Sequence, residues 1–247
     1  MLESAASLQL VWFTTGAELA SPMHLFHEMF GRDPDAFQKL QPPQAPFPMT
    51  MQAFEDNGVE HRLHSHPGRI DYLISGVQRT HDIPLLEAKP AELVGEALKV
   101  AARGAQDIGN INRAAVILTL SKKLGSSSEA SDFFTKLFGG VVDFSGSIDL
   151  QFQMNRRIEG GLEGTDINRL LKWVCNTVQV QQVVNLPGTF GQTLASELVE
   201  YLQLNYMIDV NSAVSASIYQ PSQHQAIFSK LASVALDQVQ FAKIQDV

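Results

Sequence analysis

Ile148-Asp149-Leu150-Gln151-Phe152-Gln153-Met154-Asn155 decides the fold class. Apolar and polar residues alternate without a break, the period of a strand with one buried and one wet face. That pattern belongs to antiparallel sheets, because parallel strands are buried on both faces and read as continuous apolar runs. The expectation is a strand interior to an antiparallel sheet, with Ile148, Leu150, Phe152 and Met154 turned inward under a helix. Two segments carry a suitable apolar stripe, Phe133 to Phe138 and Ile227 to Val239.

On the C-terminal side, residues 170–184 are β-prone and Tyr206 to Val210 read as a short strand. Pro221 opens a helix carrying Ile227, Phe228, Leu231, Val234, Ala235 and Val239 on its inner face. On the N-terminal side, Ser126 with Glu129 resembles a capping box, and Gly139-Gly140 stops the helix that follows. Ile111 to Leu120 read as a strand, and Pro90 opens a helix to about Ala102. From Thr50 to Val77 the turns Asn57-Gly58 and Pro67-Gly68 divide a β-meander. Residues 41–48 hold four prolines and form a stiff connector. Pro43-Gln44-Ala45-Pro46 fits Pro-x-x-Pro, but a surface loop is the preferred reading. Ser21-Pro22 starts a helix with Met23, Phe26, His27 and Phe30 sharing a face before Gly31. Leu8 to Thr14 is apolar on both faces and reads as a buried strand.

This order lacks the strand–helix alternation of a doubly wound fold. It predicts an α+β class: antiparallel sheet with helices packed on one face, in a single domain over 1–247. The stretch from Gly104 to Asn110 could join two lobes, 1–105 and 106–247.

The chain has 247 residues, 45% apolar and 18% charged, enough to bury a core without staples. No window approaches the roughly 18 apolar residues of a membrane helix, and Met1-Leu2-Glu3-Ser4 does not begin a signal peptide. A cytoplasmic location and no membrane partner are therefore expected. A net charge of −8 disfavours nucleic acid as a partner, since phosphates call for a basic footprint. The single cysteine, Cys175, sits in an apolar β-prone stretch and reads as a small buried hydrophobe.

Chemistry-bearing residues gather in two patterns. His61, His64, His66 and Asp71 form a polar cluster around two turns, with donor types that suit zinc or iron. A polar strand face is the preferred reading, and no cofactor is expected. His24 and His27 do not match the His-Glu-x-x-His order of zinc proteases. Gly188-Thr189-Phe190-Gly191-Gln192-Thr193 lacks the lysine of a phosphate loop, and no Gly-x-Ser-x-Gly elbow occurs. The second pattern is Asn-Arg, three times: Asn112-Arg113, Asn155-Arg156 and Asn168-Arg169. Gathered in space, Arg113, Arg156 and Arg169 would make an anion or carboxylate site. Arginines snorkelling from a sheet edge are the plainer reading.

Three segments resemble a sporadically distributed family of bacterial proteins of similar length and uncharacterised function. They are Pro67-Gly68-Arg69-Ile70-Asp71-Tyr72, Gln151-Phe152-Gln153-Met154-Asn155-Arg156, and Tyr206-Met207-Ile208-Asp209-Val210-Asn211 followed by a long helix. The resemblance implies an α+β fold around antiparallel strands and transfers no catalytic residues. The first expectation for function is a non-catalytic binding or accessory protein, acting through a protein partner or by self-association as a homodimer. The alternatives are a small-molecule- or metal-binding enzyme with its site at residues 61–71, and a nucleic-acid-associated protein of a bacterial conflict or defence system.

Overall fold

The computed structural model describes residues 4–16, 21–41, 48–77, 83–162, 164–181, 184–185, 193–194, 198–214 and 218–240. The proline segment at 42–47 and residues 188–192 of the Gly188 to Thr193 stretch lie outside them. The first elements are β1 (Ala5–Thr14), α1 (Pro22–Phe30), β2 (Ala36–Leu40), β3 (Met49–Asp56), β4 (Val59–His66), β5 (Arg69–Gly76) and α2 (Pro90–Ile108). Then come β6 (Ile111–Leu124), α3 (Ser127–Leu137), β7 (Gln151–Leu162), β8 (Thr165–Gln181), β9 (Val184–Asn185), β10 (Thr193–Leu194), β11 (Leu198–Ser212) and α4 (His224–Val239).

Nine strands make one antiparallel sheet in the order β2-β3-β4-β5-β1-β6-β11-β8-β7, and β9 pairs with β10 separately. The fold is α+β with its helices on one face of that sheet. On the helix face, Leu8, Leu10 and Trp12 of β1 stand beside Ile70, Tyr72 and Ile74 of β5 and Ala114, Val116 and Leu118 of β6. All are buried, and α4 seals the centre with Phe228, whose ring lies 4.8 Å from that of Trp12. Each large side chain buried here contributes roughly 1.5–3 kcal/mol. The opposite face, helix-free among the described residues, carries Gln9, Phe13, Asp71 and Arg113.

Local chemistry sets the element ends. Ser21 and Ser126 cap α1 and α3, each Oγ accepting from a backbone N–H at 3.2 Å (His24 and Glu129). The Glu129 carboxylate reaches past Ser126 to the Gly125 N–H at 2.9 Å and to Lys122 Nζ at 2.6 Å. Asn57 and Gly58 both take positive φ, 50° and 80°, as a two-residue hairpin turn requires. Gly104 is needed for close approach: a Cβ there would stand 2.6 Å from Met29 Cγ and 2.9 Å from Leu25 Cδ1. Its absence lets α1 settle onto α2.

Some details differ from the sequence expectations. β7 is an edge strand, not an interior one. Its alternation is as read, with Gln151 and Gln153 exposed and Phe152 and Met154 half-buried, but alternation reports a wet face and not the number of neighbours. Ile148 is 80% exposed, because Asp149 at φ 54° breaks the chain direction before the strand begins. Of the two candidate roofs, α3 covers Phe152, with Phe138 4.8 Å away. In α1 the buried stripe is Leu25, Phe26 and Met29, while Met23 and His27 face water. β1 is less enclosed than expected, since Gln9 and Phe13 are half-buried. α2 runs on to Ile108, and the strand holding Tyr206 spans Leu198–Ser212.

The topology repeats. β1 leads to α1, then to a meander whose last strand, β5, returns beside β1, then to α2. β6 leads to α3, then to strands whose last member of the large sheet, β11, returns beside β6, then to α4. β1 and β6 pair antiparallel at the centre, so an approximate twofold axis passes between them. The joint is Gly109-Asn110, and the sheet is continuous across it. Residue 105 itself lies within α2.

Candidate ligand-binding cavity

The two halves carry matching tyrosines on the helix face. Tyr72 stands opposite Leu10 of the first opening strand, and Tyr206 opposite Leu120 of the second. Register carried outward from these anchors shows what each half places at its flank. Leu63 is opposite Tyr72 and Trp173 opposite Tyr206. One ladder step further along, the first half pairs Phe54 with His61 and the second pairs Met154 with Leu171.

In the first half the Phe54 and His61 rings stack at 4.6 Å, nearly parallel. Phe30 of α1 closes over them, 5.1 Å from Phe54 and 5.2 Å from Tyr72. His61 Nδ1 hydrogen-bonds the Tyr72 hydroxyl at 2.9 Å, and burial pulls its imidazole pKa down against the opposing charge of Asp56. In the second half the slimmer Met154 and Leu171 leave a cavity of about 320 Å³. Leu137 of α3, Phe138 at its C-cap and Gln238 of α4 bound it above, and Phe152, Trp173 and the Met154–Leu171 pair form its floor. Phe152 lies 5.6 Å from Trp173, which stacks on Tyr206 at 4.4 Å. The Tyr206 hydroxyl donates to the Gln238 carbonyl at 3.2 Å.

Arg156 and Arg169 stand at the end of this floor, directly opposite one another in the β7–β8 ladder. Neither has a carboxylate partner among the described residues. Arg169 Nε is buried without an acceptor, and so is the indole Nε1 of Trp173, a residue only 3% exposed. Burial pushes the Tyr206 phenol well above its ordinary range, with the Arg169 charge opposing the shift. Like charges directly opposite on a sheet repel, and unpaired buried donors cost free energy. The arrangement suits an apolar body with an acceptor group.

Arg113 does not join them. It lies on the helix-free face, with its guanidinium over the Phe13 ring at 4.7 Å and Nη2 donating to Asn211 Oδ1 at 3.0 Å. Asn168 donates to the same oxygen at 3.2 Å, and Asn211 donates to Asp209 at 2.9 Å. Of the three arginines, the structure brings Arg156 and Arg169 together and leaves Arg113 apart.

The histidine cluster divides as well. His64, His66 and Asp71 share the helix-free face, whereas His61 is on the helix face. Asp71 accepts from Arg69 Nε and Nη2 at 2.9 and 2.8 Å and from Gln9 Nε2 at 2.9 Å, with His66 Nε2 3.7 Å away. His64 Nε2 is buried without a partner, and burial is the main cause of its lowered pKa. Among the described residues no group of three or more His, Cys, Asp or Glu side chains is placed to hold a metal ion. Cys175 is buried, and that burial raises its thiol pKa, disfavouring the reactive thiolate.

Sequence reasoning missed Trp173, Gln238 and Met154 as site residues. Trp173 shares the strand parity of Arg169, and Met154 that of Arg156, which was the available signal. Among the described residues no helix is long and apolar enough to cross a membrane. No family model, curated protein or solved structure matches the chain.

Proposed function

We propose that this chain is a non-catalytic binding protein that takes a small molecule with an apolar body into the cavity between α3, α4 and the β7–β8 floor. One observation carries the reading. Where Phe54, His61 and Phe30 pack together in the first half, the second half has Met154 and Leu171 beside about 320 Å³ of space. That volume is within the range of small-ligand sites. The cavity walls are aromatic and aliphatic, with a few convergent polar groups, as such sites are built. The residues best suited to acid–base work support binding over catalysis, since Asp71 is committed to Arg69 and Gln9 and His61 to Tyr72.

The test uses a neutral dye, N-phenyl-1-naphthylamine, whose emission rises in apolar surroundings. The native protein should enhance it saturably, and Met154→Phe, which copies the first half, should abolish the enhancement while folding normally. Equal enhancement by Met154→Phe, or none by the native protein, would sink the reading.

Self-association is a second reading, supported by β2. All five residues of this edge strand are exposed, including Phe37 and Leu40 at 49% and 50%. Such an edge invites pairing with a second copy. Light scattering should show a dimer that Phe37→Lys converts to a monomer; a native monomer at every concentration removes this reading.

A further inference from the structure

We propose that the ligand of this cavity is an organic carboxylate, its head group held by Arg156 and Arg169 and its apolar body lying on Phe152 and Trp173. The inference rests on the cavity being a binding site, and it names what that site selects.

The polar lining is almost wholly composed of donors. A guanidinium has five N–H donors and no acceptor, and an indole nitrogen is donor-only. Arg169 Nε and Trp173 Nε1 are buried and unpartnered. The exception is Gln238, whose carboxamide oxygen is an acceptor; its backbone carbonyl is a separate group that accepts from Tyr206. A neutral alcohol offers one uncharged oxygen and brings a further donor of its own. An amine would add positive charge to a pair that already repels. A carboxylate supplies two acceptor oxygens, can accept from both guanidiniums, and cancels their repulsion.

Charge balance favours carboxylate over a phosphate dianion. Arg156 is exposed to solvent, whereas Arg169 is half-buried. One negative charge therefore balances the one half-buried cation of the cavity. The space sets the size of the body: about 320 Å³ holds roughly ten water-sized groups. Aryl and straight-chain acids of that size share this chemistry and differ only in the body.

Isothermal titration calorimetry on the full chain separates these cases with decanoate, indole-3-acetate, their alcohols decan-1-ol and indole-3-ethanol, and decyl phosphate. At least one acid should bind roughly tenfold or more tighter than its own alcohol, as expected of a charge-assisted pair. Arg169→Gln should remove that preference, bringing the acid to the affinity of its alcohol. The two acids rank straight-chain against aryl bodies. Acid and alcohol binding alike would overturn the carboxylate while leaving the cavity a binding site, and so would tighter binding of the phosphate. No binding of any of these, with the neutral dye still enhanced, also overturns the ligand class. Loss of the dye signal as well would take the binding reading down with it. A separate readout guards against a purely structural role for the arginines. Without ligand, Arg169→Gln should melt no lower than the native protein, because it relieves repulsion; a clearly lower Tm overturns the assignment.

Discussion

The two halves of this molecule share a topology and differ in how their flanks are packed. In the first, Gly104 lets α1 settle onto α2, and Phe30 caps the stacked Phe54 and His61. In the second, α3 ends with Phe138 over Phe152, one ladder step from the equivalent position, and Met154 and Leu171 lie under open space. A single step in where a helix drops its terminal phenylalanine separates a filled flank from a cavity. The charged ends differ in step: the first half has Asp56 opposite Val59 where the second has Arg156 opposite Arg169.

The contrast breaks most readily at Phe54. Phe54→Ala should cost about 3–5 kcal/mol, whereas Met154→Ala, which already borders space, should cost about 1 kcal/mol. Urea denaturation compares them, and equal costs would remove the distinction between filled and open flanks. The next effect concerns the second helices. His224 stands three residues beyond Pro221, where α2 has Leu93 three residues beyond Pro90. His224 is 2% exposed, and burial lowers its pKa to about 4, with the Gly109 backbone opposing the shift. The unfolded imidazole titrates near 6.5. Between those values the unfolded state binds the extra proton, so this contribution to stability is intact above pH 6.5 and lost as pH falls towards 4. The loss should reach roughly 3 kcal/mol, and His224→Leu should flatten the melting profile over that window. A profile unchanged by the substitution would place the acid sensitivity elsewhere.

Gly104→Ala sharpens the comparison from the other side. Its methyl meets Met29 and Leu25, so a loss of about 1–3 kcal/mol is expected from overpacking, read by thermal denaturation. A neutral result would mean that α1 is not seated by that contact. The smallest effect is at the arginine pair, where Arg156→Gln should raise stability by about 0.2–1 kcal/mol. High salt should shrink that gain by screening the repulsion, and a salt-independent change would assign it to another cause.

The elements of this fold were legible because their signals are local. The alternation through Phe152 and Met154, the Asn57-Gly58 turn and the Ser21 and Ser126 caps each act within a few residues. The lateral place of β7 was not legible, since nothing local reports how many neighbours a strand has. Half of the site was within reach. Arg156 shares parity with Phe152 and Met154, and Arg169 with Leu171 and Trp173, so both belong on the covered face. Arg113 is out of phase with Ala114, Val116 and Leu118, but β6 is apolar in both phases through Ile117, and the parity is hidden there. His61 shares parity with buried Leu63, while His64 and His66 do not, a difference that the clustering of imidazoles in sequence obscures. The repeat was hidden by unequal contents: the first half adds β2, and the second inserts β9 and β10.

The approximate twofold axis between β1 and β6 has a consequence for how such a site can arise. In a dimer of identical chains every substitution is made twice, so a wall thinned to admit a guest on one side is thinned on the other, and both sides bear the loss of packing. Two units joined in one chain through Gly109-Asn110 are free of that constraint. One copy can keep its aromatic filling and hold the shared sheet together, while its sibling gives up rings for space and carries paired positive charge where the first has a lone carboxylate.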